Sequence, residues 1–369
     1  MKIGRWAQIL LAALPLIAGC GSFWQAPSSS SGGGGTSTTT LTSGYFYILD
    51  FATDQIISYY VNAGALTLVG TTTVPSTPIA LAVAPDNNYL CVSTFDGIYT
   101  YTLSSGVLST SPTHVSSDPA VAMAIDPASS SWIIETSGQG TLYAVSVTST
   151  GEQGSLSTKS VALTGGTIHQ IAISPDDGYV FVAADSNGTA AFGFTNSNGS
   201  LGNAAYATIS GTAYSVAVDP STRLLYIGQI NTVNSSGGLR AFTIGTSGVL
   251  TEISGSPMAS GGTNPHAILP ESAGNTVYVA NWNATSNGII TGFTVAASGS
   301  SYTLTKLSAT ATTGPEPLAL AEDSSSQFIF AINSGEPYLD IFVFDTTTTT
   351  KLDTSLTSSA YVPVGLGAQ

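Results

Sequence analysis

The sequence predicts an all-β fold, a seven-bladed β-propeller with four-stranded antiparallel blades, and three observations support this prediction. Only 8% of the 369 residues are charged, too few to cover the solvent faces of several long helices. The chain contains 40 glycines and is rich in Ser and Thr, a composition that suits short strands joined by tight turns. A unit of apolar strands and Pro-Asp or Asp-Gly turns recurs along most of the chain.

Each unit contains a first strand of small apolar residues, a second apolar strand, a third strand with an aromatic residue and an outer strand. The first two strands are clearest over 170–182, where Pro175 and Asp176 mark the turn between them. The units repeat every ~40 to 53 residues, a spacing typical of propeller blades. Seven second strands can be counted, at 45–50, 89–93, 132–135, 179–183, 224–228, 277–280 and 328–332.

The two ends of this array complement each other. The first unit starts directly with a second strand, 45–50, and no first strand precedes it. After the seventh unit comes a small-residue apolar stretch, 361–368, that is typical of the first strands. We therefore expect 361–368 to pair beside 45–50 as the innermost strand of blade one and to close the ring.

The N-terminal segment has the features of a bacterial export signal. Lys2 and Arg5 form a basic region, and residues 6–19 form an apolar run that is too short to span a bilayer. The run leads to Cys20 through the letters IAGC, which resemble the lipobox where bacterial lipoproteins are cleaved before a lipidated cysteine. We therefore expect residues 1–19 to be a signal peptide and Cys20 to carry the lipid. The alternative is a plain secretory signal with an incidental cysteine.

Residues 20–43 are dominated by Ser, Gly and Thr and offer too little apolar surface to fold, so we expect a flexible tether with a reach of roughly 25 Å. The propeller would then occupy 44–369. Gly21 stands where an Asp would act as a retention signal, which favours export to the outer membrane in a cell with two membranes.

The net charge of the chain restricts the partners that it can bind. A formal net charge of −14 repels phosphodiester backbones, so we expect no nucleic-acid partner. The membrane, reached through lipidated Cys20, is the predicted contact, and we expect a monomer. The second cysteine, Cys91, lies in an apolar run and is expected to be a small core residue, because no partner for a disulfide is left once Cys20 is acylated.

Chemistry in a propeller is expected at one mouth of the central channel, where loops leading into first strands meet loops leaving second strands. Polar residues end most second strands, and one more lies in a loop that leads into a first strand. They could form an acidic ring that binds a ligand or cation, or they could cap strand ends. No Asp-rich loop of fixed spacing is present, so no metal or cofactor is predicted. The predicted mouth residues are Asp50, Asp96, Glu135, Asp185, Gln229, Asn281, Asn333 and Glu316.

Two of the three histidines, His169 and His266, stand in segments that lead into first strands and should approach the mouth. Either is a candidate general base for water, because imidazole titrates near neutrality. The third, His114, falls in an outer strand or loop and is expected at the surface. Trp282 follows Asn281 and could stack on a sugar ring or simply pack.

The repeats resemble the seven-bladed lactonase family, which includes the 6-phosphogluconolactonase-like propellers, over roughly 44–369. The best-matching segment is 168–185, in which His169 stands where similar family members carry a mouth histidine. The letters YVAN at 278–281 are also typical of the family. The resemblance implies a propeller fold and lactone hydrolysis at the mouth.

The chain departs from the family at a Gly-Pro-Arg-His segment of a later blade, since the corresponding letters are GTAY at 211–214 and GPEP at 314–317. Loss of an oxyanion-stabilising group typically costs about 3 to 4 kcal/mol of barrier, and a phosphorylated lactone would also need cations. Three functions therefore stay open. We favour a non-catalytic envelope module that binds a protein, glycan or small molecule, with hydrolysis of an uncharged lactone by His169 or His266 as the alternative. A structural surface module is the third.

Overall fold

The structure, a computed structural model, describes residues 43–353 apart from 63–64, 138–139, 157, 163–166, 208–210, 232–235, 284–285, 323–327, 335–338 and 346–350. Seven antiparallel sheets form the blades of a propeller, which confirms the predicted fold class and blade count. Within these residues there is no helix with the length and hydrophobicity that a bilayer-spanning segment needs.

The blades follow one another along the chain. Blade 1 has β1 (Ser43–Asp50), β2 (Gln55–Asn62) and β3 (Ala65–Thr73). Blade 2 has β4 (Pro78–Val83), β5 (Tyr89–Thr94), β6 (Gly97–Ser104), β7 (Val107–Leu108) and β8 (Thr113–Ser116). Blade 3 has β9 (Ala122–Ile125), β10 (Trp132–Thr136), β11 (Thr141–Ser146) and β12 (Lys159–Ala162). Blade 4 has β13 (Gln170–Ile173), β14 (Tyr179–Ala183), β15 (Thr189–Thr195) and β16 (Ser200–Ala207).

The last three blades keep the same order. Blade 5 has β17 (Thr212–Val218), β18 (Leu224–Asn231), β19 (Ser236–Ile244), β20 (Leu250–Glu252) and β21 (Met258–Ala259). Blade 6 has β22 (Asn264–Pro270), β23 (Thr276–Trp282), β24 (Asn287–Ser298) and β25 (Ser301–Pro315). Blade 7 has β26 (Pro317–Glu322), β27 (Phe328–Asn333), β28 (Leu339–Asp345) and β29 (Lys351–Asp353).

Burial along the strands reflects their radial position. All residues of β4, β5 and β10 are buried, because the inner strands are covered on both faces by the neighbouring blades. The outer strands β3 and β25 instead show mostly exposed and half-buried residues, since they face solvent. Apolar residues therefore run continuously in the inner strands, whereas polar Ser and Thr residues are frequent in the outer ones.

Hydrophobic clusters fill the wedges between adjacent blades and close the ring. One cluster joins blades 2 and 3 around Tyr89 and Cys91, and the others follow blade by blade around the channel. The cluster that includes β1 also contains residues of β27, and the rings of Phe46 and Phe330 lie 5.2 Å apart there. Blade 7 is thus packed directly against blade 1 through side chains.

On the face opposite the predicted mouth, turn residues link neighbouring blades. Asp126 accepts hydrogen bonds from the backbone N–H groups of Ser131 and Trp132, both at 2.6 Å, and from Asn196 of blade 4 at 2.8 Å. Arg223 of blade 5 donates to Asp219 at 2.8 Å and to the carbonyl of Gly274 in blade 6 at 2.9 Å. These bonds connect the turns of neighbouring blades on that face.

Blade 1 has three strands among the described residues, and β1 hydrogen-bonds only to β2 there. The predicted closing strand, 361–368, lies outside the described residues, so its pairing beside β1 stays a prediction.

Deletion of 360–369 is expected to abolish the single cooperative melting transition of the propeller, because the inner edge of β1 would lose its partner strand. Differential scanning calorimetry would measure this. Deletion of 22–40 in the tether is the matched control and should leave melting unchanged. If both truncations melt like the full chain, the closing strand is not 361–368.

Candidate functional site at the channel mouth

The pairing of first and second strands brings the predicted residues to one end of the propeller. In blade 4 the first residue of β13, Gln170, pairs with the last residue of β14, Ala183. Blade 7 repeats this arrangement, with Pro317 opposite Asn333. The segments leading into first strands and those leaving second strands therefore lie at the same end of the propeller.

A β-bulge places one extra residue at the start of most first strands. The register of blades 5 and 6 shifts across Tyr214 and His266, and that of blades 2 and 7 shifts across Ile79 and Leu318. His169 occupies the equivalent position in blade 4, because its N–H donates to the carbonyl of Ala183 at 3.0 Å, just before the ladder begins. A bulge turns a side chain out of the regular alternation. Ile79 packs into the core between blades 2 and 3, whereas His169, Tyr214 and His266 are only half-buried.

Three consecutive bulge positions carry rings, and the rings stack. The His169 and Tyr214 centroids lie 4.3 Å apart at an angle of 23°, and those of Tyr214 and His266 lie 4.2 Å apart at 18°. Trp282, at the end of β23, continues the stack 5.4 Å from His266 at 13°. We call these four half-buried residues the aromatic column. The column spans blades 4, 5 and 6 at the mouth.

The column is uncharged at neutral pH. Burial lowers the pKa of His169, and the neighbouring Asp185 carboxylate opposes part of this effect. Burial, together with His169, lowers the pKa of His266 from 6.5 to about 3. Burial raises the pKa of Tyr214 from 10.0 to about 12, so its hydroxyl keeps its proton. Neutral imidazoles and a phenol thus offer hydrogen-bond donors and acceptors without net charge.

Two polar atoms of the column lack a protein partner. Nδ1 of His266 and Nε1 of Trp282 are buried and have no hydrogen-bond partner among the described residues. A buried polar group without a partner typically costs about 1 to 3 kcal/mol, and a bound molecule with complementary atoms would recover that cost. The unsatisfied atoms therefore point to a ligand with hydrogen-bonding groups at its edge.

Several residues of the predicted polar ring hold the mouth together. The Asp50 carboxylate accepts from the backbone N–H of Ala52 at 2.8 Å and from the hydroxyl of Thr53 at 2.6 Å, which caps the turn after β1. The amide of Asn281 donates to the carbonyl of Ser260 at 2.8 Å and accepts from its hydroxyl at 2.6 Å. Both side chains therefore make hydrogen bonds within the protein, which is the structural alternative to ligand binding.

Gln229 and Asn333 are also tied to neighbours. Arg240 is buried, and its Nε donates to Oε1 of Gln229, while its Nη1 donates to Glu252 at 2.7 Å. Nδ2 of Asn333 donates to Asp340 at 2.9 Å. Arg240 is therefore held by a hydrogen bond to Gln229 and by a salt bridge to Glu252.

Asp96, Asp185 and Glu316 reach solvent at the mouth. The backbone of Asp185 has a φ of 53°, and its carbonyl accepts from Ala213 of blade 5 at 2.9 Å. Oε2 of Glu316 accepts from the Ser334 hydroxyl at 2.8 Å. The solvent-facing rim of the mouth therefore carries three carboxyl groups.

Glu135 differs from the rest of the ring. It is 1% exposed, and its Oε2 has no hydrogen-bond partner among the residues described. Ile133, two residues before it on the same face of β10, packs with Tyr89 and Cys91, so the Glu135 side chain faces blade 2. Burial raises the pKa of Glu135 from 4.5 to about 8, and the Asp118 carboxylate adds to the rise. Glu135 is therefore a protonated acid at neutral pH.

The described residues offer no metal site, since no three His, Cys, Asp or Glu side chains among them converge on one point. The two mouth histidines lie on opposite faces of the Tyr214 ring, each more than 4 Å from its centroid. One zinc ion with Zn–N bonds of about 2 Å could not bind both.

The column brings together residues whose sequence signals are unrelated. The sequence predicts His169 and His266 at the mouth and allows Trp282 to stack or to pack, whereas Tyr214 marks only a departure from the family segment. The signal for Tyr214 is positional: Pro-Ile at 78–79, Pro-His at 265–266 and Pro-Leu at 317–318 align at the bulge. His114 lies on outer strand β8 against Tyr99, away from the column.

Comparison with known proteins adds the family. A family profile described as "Lactonase, 7-bladed beta-propeller" matches residues 179–367, just over half of the 369-residue chain. The chain belongs to the seven-bladed lactonase propeller family. The resemblance seen in the repeats is thereby confirmed. Among curated proteins, none matches this sequence.

Solved structures match this lactonase-family propeller at low identity and therefore support its fold alone. A putative 6-phosphogluconolactonase from Bacteroides uniformis is 15% identical, with a TM-score of 0.70, covering 85% of this chain and 95% of that one. The periplasmic gluconolactonase of Pseudomonas aeruginosa is 16% identical, with a TM-score of 0.65 and coverages of 84% and 94%. Hydrazine synthase of Kuenenia stuttgartiensis is 14% identical, with a TM-score of 0.61 and coverages of 80% and 94%. The same architecture thus occurs under different functional names.

Replacement of Glu135 by Gln should change the pH dependence of stability. The unfolded chain releases the Glu135 proton near pH 4.5, whereas the folded chain retains it to about pH 8. The stability from this group is fully present below pH 4.5 and is lost as the pH rises through about 8. At pH 9, Glu135→Gln should therefore be more stable than the parent by roughly a few kcal/mol.

Urea denaturation at pH 5, 7 and 9 would measure this difference. Glu152→Gln, at an exposed position, controls for the loss of one acidic group. A parent protein whose stability does not fall between pH 5 and pH 9 relative to Glu135→Gln would contradict the assignment.

Proposed function

We propose that the mouth binds a small, uncharged ring compound of the lactone type against the aromatic column. The observation that carries this proposal is the stack of His169, Tyr214, His266 and Trp282, in which two buried nitrogen atoms lack partners. A lactone has a polar carbonyl and ring oxygen at one edge and an apolar ring, which matches a half-buried wall with uncharged donors and acceptors.

The distribution of cations argues against a phosphorylated ligand. The five Lys and Arg residues beyond the predicted signal peptide all lie off the first strands. The lysines stand on outer strands β12, β25 and β29, Arg223 is paired with Asp219 on the opposite face, and Arg240 is buried beside Gln229. A phosphate at the mouth would find no positively charged side chain on the first strands, and the carboxylates of the rim would repel it.

Hydrolysis of the bound lactone is the second candidate. The low pKa of His169 leaves its imidazole free to take a proton from water at neutral pH, while the resulting hydroxide adds to the lactone carbonyl. The protonated Tyr214 hydroxyl could donate to the oxygen that gains charge. The carbonyl carbon to ring oxygen bond then breaks, and the ring oxygen takes the proton held by the imidazole. Membership of the lactonase family supports this candidate.

Binding and turnover are separable, and together they decide between the enzyme and the non-catalytic module. Calorimetric titration of the full chain with δ-valerolactone at pH 6.5 measures binding, and titration of the acid released measures hydrolysis. Binding without turnover would favour the binding module, and turnover above the spontaneous rate would favour the hydrolase.

The column variants His266→Ala and Trp282→Phe are expected to weaken δ-valerolactone binding by about tenfold or more, because each removes a polar atom that the ligand would satisfy. His114→Ala, which alters a histidine outside the column, should bind like the parent. Unchanged melting temperatures would show that the variants fold. Equal affinity in all four proteins would refute binding at the column.

We also propose that the propeller is tethered to the bacterial envelope, most simply the outer membrane, through lipidated Cys20. The support is the N-terminal sequence: the basic region, the apolar run and the small residues before Cys20. The binding mouth would then be held near the membrane by the tether at 20–43.

Cys20→Ser should abolish incorporation of labelled palmitate in a bacterial host and should release the protein from the membrane fraction, because the thiol is the group to which the lipid is attached. Cys91→Ala is the matched control: this cysteine is buried, and burial raises the pKa of its thiol, so its removal should leave labelling intact. Labelling that persists in Cys20→Ser would contradict the anchor.

A further inference from the structure

Two aromatic residues stand exposed at the mouth, on the side away from the column. Phe51 is 39% exposed and Phe95 is 57% exposed. They directly follow the last residues of β1 and β5, the second strands of blades 1 and 2. Of the large hydrophobic side chains that the described residues expose, these are the two aromatic ones. We call them the phenylalanine pair.

The position of Phe95 within its blade is the one that Trp282 occupies in blade 6. Thr94 pairs with Pro78 in blade 2, as Asn281 pairs with Pro265 in blade 6, so Phe95 and Trp282 are equivalent. From this position the Trp282 ring reaches the bulge residue of its own first strand. In blade 2 the bulge residue Ile79 is already buried, and Phe95 is left with its ring uncovered.

The pair lies across the channel from the column. The clusters between blades place them in sequence around the ring, with blade 7 returning to blade 1. In a ring of seven, the boundary between blades 1 and 2 is diametrically opposite blade 5, which carries Tyr214 at the centre of the column. A ligand bound at the column would therefore have to extend across the mouth to contact the pair.

The charges around the pair restrict what it binds. Asp96 adjoins Phe95, and Asp118 lies in the loop that leads into blade 3; both are exposed. These carboxylates repel an anionic chain such as a fatty acid, whereas two exposed aromatic rings favour contact with an apolar group. An uncharged alkyl or aryl substituent satisfies both conditions.

We infer that the ligand of this propeller is a lactone bearing an uncharged apolar substituent, with the ring held by the aromatic column and the substituent held by Phe51 and Phe95. This inference rests on the proposed function, and it names the class of lactone. It assigns specificity to residues that follow the second strands of blades 1 and 2.

The test compares two lactones that share a ring, δ-valerolactone and δ-decalactone, which adds a pentyl chain. The full chain should bind δ-decalactone at least about tenfold more tightly, since burying even two methylene groups is sufficient for that gain. The double variant Phe51→Ala/Phe95→Ala should lose this gain and bind δ-valerolactone like the parent. Val107→Ala/Val249→Ala removes exposed apolar residues from the opposite face and should behave like the parent.

The outcomes separate the two proposals. If the parent binds δ-valerolactone but binds δ-decalactone no more tightly, the inference about the substituent is wrong and the proposed function stands. The inference is also wrong if the double variant keeps the preference for δ-decalactone. If neither lactone binds, the proposed function itself fails.

Discussion

The pairing register between the first and second strands of each blade is the constraint on which the mouth depends. The ladder brings the start of one strand beside the end of the other, and a bulge at that point releases one residue from the alternation. Because the blades repeat, the released residues recur at the same height around the channel. The stacking of His169, Tyr214 and His266 is a consequence of this repetition, since the three side chains come from the consecutive blades 4, 5 and 6.

The burial of the mouth determines its chemistry. Partial burial keeps both imidazoles neutral, and almost complete burial keeps Glu135 protonated, whereas the carboxylates of the rim reach solvent. The same end of the propeller therefore combines an uncharged wall with an acidic edge. This combination favours neutral ligands that carry hydrogen-bonding atoms and disfavours phosphates, for which cations on the first strands would be needed. The mouth of this propeller is thus uncharged to acidic, whereas a phosphorylated substrate would require positive charge there.

The polar ring shows how position and role can separate. The residues at the ends of the second strands lie at one mouth. Asp50, Asn281 and Gln229 nevertheless form their hydrogen bonds with turns and with neighbouring strands. A polar residue at a strand end satisfies backbone groups first, because these are always within reach. In the proposed function, ligand contacts fall instead to the bulge residue His266 and to Trp282 beside it.

The sequence by itself determined the all-β class, the number of blades and the end of the propeller at which His169 and His266 stand, because strand alternation and turn residues are local signals. It could not determine that Tyr214 lies between the two histidines, since residues 169, 214 and 266 meet only after three blades are packed side by side. Nor could it separate a buried, protonated Glu135 from an exposed Asp96. Burial depends on which face of a strand meets the neighbouring blade, and only the tertiary structure decides that.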